Sequence, residues 1–545
     1  MKVNTIKTDV LVIGAGGAGT RAAVEAAQTA RQVTLVCRSP LGKGGLTPTA
    51  NGGYHAAVWP GDSPAIHAED LIAMGCFLND RNLVDALAQE ALEQAQLLEK
   101  FGAAVNWDVP PKPQEPQMRY PRSLFVPGRE VLGALNRQLR TCGNVLILED
   151  QLALQLLTVA GRVTGALLFD IAAGSLTVCE SKTTIMATGS LGEIYPRSAQ
   201  EPMGLPTGST GSGYVLAGLA GADLVDMEMI QFVSIPLEPP LVTGMRCLPW
   251  ASLKNAAGQE FLPPDAGEYS HEAAQAVYRE ISEGRGPLLM DLRDRKPVAH
   301  FRHPLFGQRS RHLQEFGVTP FQRPVSVGVG ALFMMGGIHI NERCETTVPG
   351  LYAAGEVSGN VHGARRVSGN AFPEMIVFGA RAGKYAALEA GKQAALSDVP
   401  QSQIREIREY LSILIAGGGR QGDIAPREVR QKTRQIMEEH GNLIRNGEGL
   451  RTALDELGSL EQDLPSIRLK PAAGLGFNAG LLEAIDAGWM VATARIVCQA
   501  ALLREESRGF HFRSDFPAEK EDWLKHTVVR REKAGWVGAT KPIVI

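Results

Sequence analysis

The strongest constraint on the fold lies near the N-terminus, where a glycine-rich turn follows a short apolar run. Residues 8–13 (TDVLVI) have the character of a buried parallel strand, and residues 20–27 (TRAAVEAA) form an alanine-rich helical segment. Between them stand Gly14, Ala15, Gly16, Gly17, Ala18 and Gly19, and a second apolar strand follows at 33–36. This order predicts a βαβ unit that binds the diphosphate of a dinucleotide at a helix N-terminus.

The glycines of this turn have separate predicted roles. Gly14 permits the tight turn, Gly16 lets the diphosphate approach the backbone, and Gly19 lets the helix pack on the strand. Gly17 and Ala18 begin the helix, whose free N–H groups and partial positive charge face the phosphates.

The end of the second strand departs from the usual pattern. An acidic residue commonly binds the ribose there, but this chain has Cys37 followed by Arg38. Two later segments favour FAD as the dinucleotide: a strand that ends in Ala187-Thr188-Gly189, and a strand at 350–356 (GLYAAGE) that ends in Glu356. Both resemble the closing elements of the FAD-binding fold in glutathione-reductase-like flavoproteins.

Five further motifs resemble those of the flavoprotein subunits of succinate dehydrogenase and fumarate reductase, a group that also includes L-aspartate oxidase. They are GGLTPTANGG at 44–53, DMEMIQF at 226–232, FMMGGI at 333–338, VHGARRVSGN at 361–370 and REESRGFHFRSDFP at 504–517. The fourth resembles the family pattern H-G-A-N-R-x-G-G-N. Because the motifs follow the family's order along nearly the whole chain, the protein is identified as a divergent member of this family.

The resemblance implies an α/β fold, in which a Rossmann-type FAD-binding domain carries an inserted α+β capping domain and is followed by a C-terminal helical domain. The expected FAD-binding domain comprises residues 1–233 and 346–395, with the capping domain at 234–345. The helical domain and tail occupy 396–545. Residues 404–414 and 429–444 there show apolar side chains at helical spacing, and glycines 417–419 separate them.

The resemblance also assigns the flavin site, which adds to the residues of the glycine-rich turn, Cys37 and Arg38. The assigned residues are Gly44, Gly45, Leu46, Thr47, Ala50, Asn51, Gly52, Gly53, Ala153, Ala187, Thr188, Gly189, Ser212, Glu356, Arg366, Asn370 and Ala371. Many family members bond FAD covalently through a histidine at the position of Leu46. Since leucine cannot form that bond, we expect noncovalent FAD.

The substrate groups of the family are largely replaced in this chain. Fumarate reduction in the family uses one arginine as proton donor, while histidines and a second arginine hold the two carboxylates. Arg366 occupies the second arginine's position, but Val233 and Leu332 replace histidines, and the proton donor's position falls near Ser270. Because a buried carboxylate without a partner is costly, we expect a substrate less anionic than fumarate or succinate.

The missing acid leaves alternatives open at the catalytic centre. Tyr269 and His271 flank Ser270, and His271 is favoured as proton carrier because its reference pKa lies near neutrality; alternatively, both are surface residues of the capping helix. His362 either takes part in catalysis or supports the flavin loop. Arg366 either holds a substrate carboxylate or balances the negative charge of reduced flavin.

Composition limits the partners. The net charge of −3 and the absence of a basic stripe argue against nucleic acid. The seven cysteines include no C-x-x-C pair, so we expect no zinc or iron–sulfur cluster within the chain. The apolar stretch at 487–503 contains Arg495 and Gln499, so no membrane span is expected. The expected location is cytoplasmic, with any membrane association made through a partner.

These observations predict an FAD-dependent oxidoreductase that passes electrons between a small organic substrate and an iron–sulfur subunit. No second G-x-G-x-x-G is present for a nicotinamide. Two alternatives stay open: a stand-alone flavin oxidase or reductase, and a non-catalytic electron-transfer subunit whose pocket is closed by Val233 and Leu332.

Overall fold

The protein is described here by a computed structural model covering residues 2–50, 52–109, 111, 113, 115, 117–200, 208–237, 252–262, 270–293, 317, 321–396, 399–416, 424–469 and 474–544. The strands are β1 (Val3–Ile13), β2 (Val33–Val36), β3 (Gly53–His55), β4 (Ser123–Phe125), β5 (Val145–Leu148), β6 (Gln151–Val159), β7 (Arg162–Asp170), β8 (Ser175–Met186), β9 (Leu224–Val225), β10 (Ile230–Pro236), β11 (Ser252–Lys254), β12 (Leu288–Asp291), β13 (Val325–Met334), β14 (Gly337–Ile338), β15 (Leu351–Ala353), β16 (Ile444–Arg445), β17 (Phe512–Arg513), β18 (Lys525–Glu532) and β19 (Gly535–Pro542).

The α-helices of these residues are α1 (Gly17–Ala26), α2 (Pro64–Met74), α3 (Arg81–Lys100), α4 (Gly128–Thr141), α5 (Ser212–Leu219), α6 (His271–Ser282), α7 (Ala371–Lys392), α8 (Gln401–Ala416), α9 (Pro426–Glu439), α10 (Gly447–Asp463) and α11 (Ala479–Leu503). Short 3-10 turns occur at Thr47–Thr49, Gly192–Ile194, Leu464–Ser466 and Glu521–Trp523. None of these helices is both long enough and apolar enough to cross a bilayer.

The central sheet has the strand order β5-β2-β1-β8-β7-β6, with β15 also paired to β8. Strands β5, β2, β1, β8 and β15 pair in parallel with one another, whereas β7 is antiparallel to both β8 and β6. The C-terminal half of β1 is fully buried, as a parallel strand covered on both faces must be. Helices α1 and α7 cross closely, because a Cβ at Gly379 or Gly383 would lie only 2.7 or 2.3 Å from a backbone oxygen of α1.

A second, antiparallel sheet has the order β10-β13-β12-β11 and packs with α6. The expected boundary after residue 233 falls inside β10, which begins at Ile230, so this sheet starts a few residues earlier than the motif suggests. The pairing of β10 with β13 is interrupted by a bulge between Gln231 and Phe232, where Leu332 is the extra residue of β13.

The C-terminal region combines helices with a hairpin. Helix α11 packs against α9 and α10, while the hairpin β18–β19 joins β9 and β14 in a third sheet. Arg504, fully buried, donates to Glu228 (2.6 Å), Asp226 (3.2 Å) and Glu506 (2.9 Å). The DMEMIQF and REESRGFHFRSDFP motifs are therefore parts of one buried ionic network.

Candidate flavin and substrate site

The turn between β1 and α1 forms a narrow cradle. Gly14 has φ +108°, and a Cβ there would lie 2.2 Å from the carbonyl oxygen of Ala187. A Cβ at Gly19 would lie 1.8 Å from the carbonyl oxygen of Gly14, which explains the close packing of helix on strand. At Gly16 a Cβ would meet only the Thr47 hydroxyl, at 3.6 Å. Open backbone beside two tightly packed glycines is the geometry that a diphosphate needs.

The polar groups around this cradle fit FAD. The N-cap residue of α1, Gly16, has no side chain to cap the helix, and the first turn has no acidic residue, so no carboxylate within the helix offsets its partial positive charge. The Gly17 N–H donates to the Thr47 hydroxyl at 3.0 Å. The side-chain oxygen of Thr188 and both side-chain amide atoms of Asn370 are buried without a hydrogen-bond partner in the part of the chain that the structure describes. Such groups need a polar ligand, which the carbonyl and N–H groups of a flavin provide.

The remaining predicted flavin residues come from separate elements. Gly44, Gly45, Leu46, Thr47, Ala50, Gly52 and Gly53 form the segment that ends in β3; Ala153 lies on β6; Ala187, Thr188 and Gly189 follow β8; Ser212 begins α5; Glu356 follows β15; and Asn370 and Ala371 begin α7. A Cβ at Gly53 would lie 3.2 Å from the Cα of Gly369, so the first segment touches the 361–370 loop. Asn51 lies outside the described residues.

The two residues at the ribose end are engaged with protein atoms. The buried Cys37 thiol approaches the Leu148 carbonyl oxygen at 3.5 Å, and burial raises its pKa to about 12. It is therefore a neutral thiol at physiological pH. The Arg38 guanidinium makes a bidentate pair with Asp486 of α11, with N–O distances of 2.8 and 2.6 Å. Arg38 thus ties the dinucleotide domain to the C-terminal helices.

Two acidic side chains lie in the interior beside the 361–370 loop. Glu356 accepts hydrogen bonds from Gln200 (2.7 Å) and from the backbone N–H of Met334 (2.9 Å). Desolvation raises the pKa of Glu356 to about 6, although these bonds and Arg366 oppose the shift. Burial, together with Glu356, raises the pKa of Glu374 well above its usual value. Burial therefore favours the protonated form of Glu374.

Arg366 is buried where three of the sequence motifs meet. Its Nε donates to Gln231 at 3.1 Å, and its guanidinium carbon lies 4.4 Å from the centre of the Phe333 ring. The same ring also contacts His362, whose ring centre is 5.4 Å from that of Phe333 in an edge-to-face arrangement. Burial and the charge of Arg366 hold the pKa of His362 well below its usual value. His362 is therefore neutral, which suits support of the loop better than proton donation.

The start of α6 explains the serine at the family's proton-donor position. Ser270 is the N-cap of the helix, and its hydroxyl accepts from the Ala273 N–H at 3.1 Å. His271 follows, with Nε2 3.2 Å from Glu272 and its ring centre 6.0 Å from that of Phe510. Its Nδ1 is buried and has no partner among the described residues, and burial lowers its pKa. His271 is half-buried rather than a surface residue, and Tyr269 lies outside the described residues.

The positions of the two missing histidines form an apolar wall. Val233 and Ile235 are buried together, and Leu332 packs against them. The Leu332 carbonyl oxygen accepts from Gln200 at 2.8 Å, through the same amide nitrogen that donates to Glu356. The wall is therefore joined to the buried acidic groups by a single glutamine. Sequence reasoning did not identify Gln200, because no motif contains it.

A second arginine of the 361–370 loop was also missed. Arg365 is buried and donates to Glu115 at 3.0 Å. The sequence held one signal, since this arginine stands where the family pattern H-G-A-N-R has asparagine. Its partner could not be inferred, because Glu115 is 250 positions away and belongs to no motif.

The chain is similar to known proteins along nearly its whole length. A family described as an FAD binding domain matches residues 9–372, and one described as the C-terminal region of fumarate reductase flavoproteins matches residues 430–543. The chain is 33% identical to one component of the CoM/CoB fumarate reductase of Methanothermobacter marburgensis, covering 98% of each chain. It is 31% identical to an uncharacterised FAD-dependent oxidoreductase of Methanocaldococcus jannaschii, covering 97% of each. The solved structure of Mycobacterium smegmatis Sdh1 with UQ1 superimposes with a TM-score of 0.89 at 28% identity, covering 99% of this chain and 95% of that one.

Proposed function

This chain belongs to the family of FAD-dependent fumarate reductase and succinate dehydrogenase flavoproteins, and from that premise we propose that it oxidises or reduces a small organic mono-acid. The protein is an FAD-dependent oxidoreductase. When bound, FAD supplies hydride transfer to or from carbon. Side chains of the protein must then hold the acid and transfer the accompanying proton.

The observation that carries the proposal is the contrast between the two sides of the substrate region. The 361–370 loop contributes buried positive charge at Arg365 and Arg366, while the positions of the two histidines are the apolar Val233 and Leu332. This combination of positive charge and an apolar wall suits a substrate that has one carboxylate and one apolar end. A second carboxylate against the wall would be desolvated without a partner.

We propose His271 as the group that transfers a proton. With Nε2–H directed at Glu272, the lone pair of Nδ1 is available to a substrate. In the reducing direction a carbon–carbon double bond beside the carboxylate takes a hydride at one carbon and a proton from Nδ1 at the other. In the oxidising direction Nδ1 removes that proton. A lowered pKa favours the neutral imidazole and hence the oxidising direction at neutral pH.

We also propose the domain division at 1–233, 234–345, 346–395 and 396–545, with the first strand of the capping sheet beginning at Ile230. We further propose an electron partner that carries an iron–sulfur cluster. Relatives named as subunits support a partner, as do the scattered cysteines of this chain. The apolar wall equally supports a second candidate, in which the pocket is closed and the protein only transfers electrons. Purification from the native source tests the partner: a cluster-bearing chain should co-purify.

Reoxidation of the reduced flavin separates these candidates. Crotonate is fumarate with a methyl group in place of one carboxylate, so it should reoxidise the anaerobically reduced holoprotein faster than fumarate. The matched Val233→His/Leu332→His variant should shift the preference toward fumarate. Wild-type turnover with fumarate at ordinary enzyme rates, above about 1 s⁻¹, would contradict the mono-acid proposal. Reoxidation by an iron–sulfur acceptor but by no organic acid would support the closed pocket.

A further inference from the structure

Among the residues that the structure describes, none uses the full hydrogen-bonding capacity of Arg365. Its side chain is 7% exposed, its Nη2 donates to Glu115 at 3.0 Å, and its Nε is buried with no partner. A buried guanidinium N–H without an acceptor is unfavourable, so native structures satisfy such groups with a ligand or water. By contrast, the Nε of its neighbour Arg366 donates to Gln231, and the Arg366 guanidinium stacks on Phe333.

A second unpartnered group lies beside it in the capping domain. The backbone N–H of Phe510 donates to the carbonyl oxygen of Ala364 at 3.1 Å, which fixes Phe510 next to Arg365. The Phe510 ring in turn contacts His271, the first residue of α6, whose Nδ1 is buried without a partner. The charge of Arg365 adds to burial in lowering the pKa of His271, as expected for close neighbours. Both unsatisfied nitrogens belong to residues around Phe510, which is joined to the 361–370 loop by its backbone and to His271 by its ring.

We propose that Arg365, held by Glu115, binds the carboxylate of the substrate beside His271 at the N-terminus of α6. This inference rests on the proposed function and deepens it, because it names the group that recognises the acid. The substrate class is then a short monocarboxylic acid with its carboxylate at Arg365 and its apolar end toward Val233 and Leu332. Arg366 remains to balance the charge of reduced flavin.

Glu115 has a positioning role in this proposal. It is 1% exposed, and its bond to Arg365 directs the guanidinium while balancing its charge in the interior. Arg365→Gln alone would remove the charge that balances the buried Glu115, which threatens folding. The double variant Arg365→Gln/Glu115→Gln removes both charges and keeps the groups similar in size. Arg365→Lys keeps the charge but loses the planar fork.

The test is equilibrium binding to the oxidised holoprotein, followed by the flavin difference spectrum and by thermal shift. The probes are crotonate and its neutral analogue crotonamide. We expect the wild type to bind crotonate at least tenfold more tightly, and the Arg365→Gln/Glu115→Gln variant to lose this preference. Arg365→Lys should keep part of it. Arg366→Gln should keep the preference, as should the control Arg343→Gln, which changes an exposed guanidinium.

Three outcomes would overturn the inference: no preference in the wild type, an unchanged preference in the double variant, or loss of the preference in Arg366→Gln. Because binding is measured without turnover, the result can refute the carboxylate subsite at Arg365 without refuting the proposed redox function. A protein that binds crotonate through Arg365 but never exchanges electrons with an organic acid would retain the subsite and refute the redox proposal. An active protein whose affinity for crotonate is independent of Arg365 would refute the subsite and retain the redox proposal.

Discussion

The imidazole of His271 has one nitrogen directed at Glu272 and one without a partner, so only Nδ1 can exchange a proton with a substrate. Its pKa is lowered by burial, and Glu272 opposes that shift. A base with a lowered pKa is already active below neutral pH. The rate of substrate oxidation should therefore rise with pH through this lowered pKa and then level off, while the rate of reduction should fall over the same range.

Substitutions at this pair test the assignment. His271→Asn should lower the rate by roughly 10²- to 10⁴-fold and abolish the pH dependence. Glu272→Gln should displace the profile to lower pH, because it removes the carboxylate that raises the pKa of His271. The matched control is His440→Asn, since His440 lies 4.0 Å from Glu439 outside the site. A pH profile that survives His271→Asn would assign the proton to another group.

What the sequence reveals at this scale depends on where the partner lies. Arg366 and the residues that hold it, Gln231 and Phe333, are all in recognisable motifs, so their meeting could be expected. Arg38 could not be interpreted in the same way, because Asp486 is 448 positions away and has no motif. Ser270 stood out only as a missing arginine, and its role as helix cap became evident from the Ala273 N–H bond.

At the level of elements, the amino end of α1 should set the affinity for FAD. Leu46 offers no atom for a covalent bond to flavin, so acid precipitation should leave yellow flavin in the supernatant. The Gly16→Ala apoprotein should then bind FAD about tenfold more weakly or worse, about 1.4 kcal/mol, because its methyl group occupies the diphosphate's approach. Fluorescence titration of apoprotein with FAD measures this.

The control for that substitution is Gly143→Ala, where an added Cβ meets no atom within 4 Å. It should leave the affinity for FAD unchanged. Flavin that stays with the acid-precipitated protein would disprove noncovalent attachment, and equal affinities for Gly16→Ala and wild type would remove α1 from the diphosphate site.

Sequence patterns predicted the presence of these helices and strands more accurately than the residues at which they begin and end. The glycine-rich turn identified β1, α1 and β2 because glycine spacing and apolar runs are local signals. The start of the capping sheet was harder to predict, because β10 runs continuously from Ile230 through Val233 to Pro236. The bulge that singles out Leu332 depends on the register with β13, which no local pattern specifies.

For the whole molecule, buried neutral histidines should make stability depend on pH. Burial holds the pKa values of His67, His362 and His511 well below the usual value. The unfolded chain binds protons at these groups below about pH 6.5, whereas the folded protein does not. The free energy of unfolding therefore decreases as the pH falls below about 6.5, by up to about 1.4 kcal/mol per pH unit for each histidine.

Two acids act in the opposite sense. Glu356 and Glu374 have raised pKa values, so in mildly acidic solution the folded state holds protons there that the unfolded state lacks. Five histidines with lowered pKa values, the three above together with His271 and His339, outweigh these two acids and predict a melting temperature that falls from about pH 7.5 to about pH 5.5, measured at saturating FAD. His67→Phe should reduce the slope, because both ring nitrogens of His67 are buried without partners. A flat or rising melting temperature would contradict this prediction.

The pairing of β9 with β18 has a consequence for how the chain is made. Val225 pairs with Val528, and Asp226 bonds to His526 and Thr527, some 300 positions later. A ribosome adds those residues only after the roughly 300 intervening positions have been made, so this seam stays open while the intervening chain is synthesised. The nascent flavin domain therefore stays incomplete until β18 has emerged.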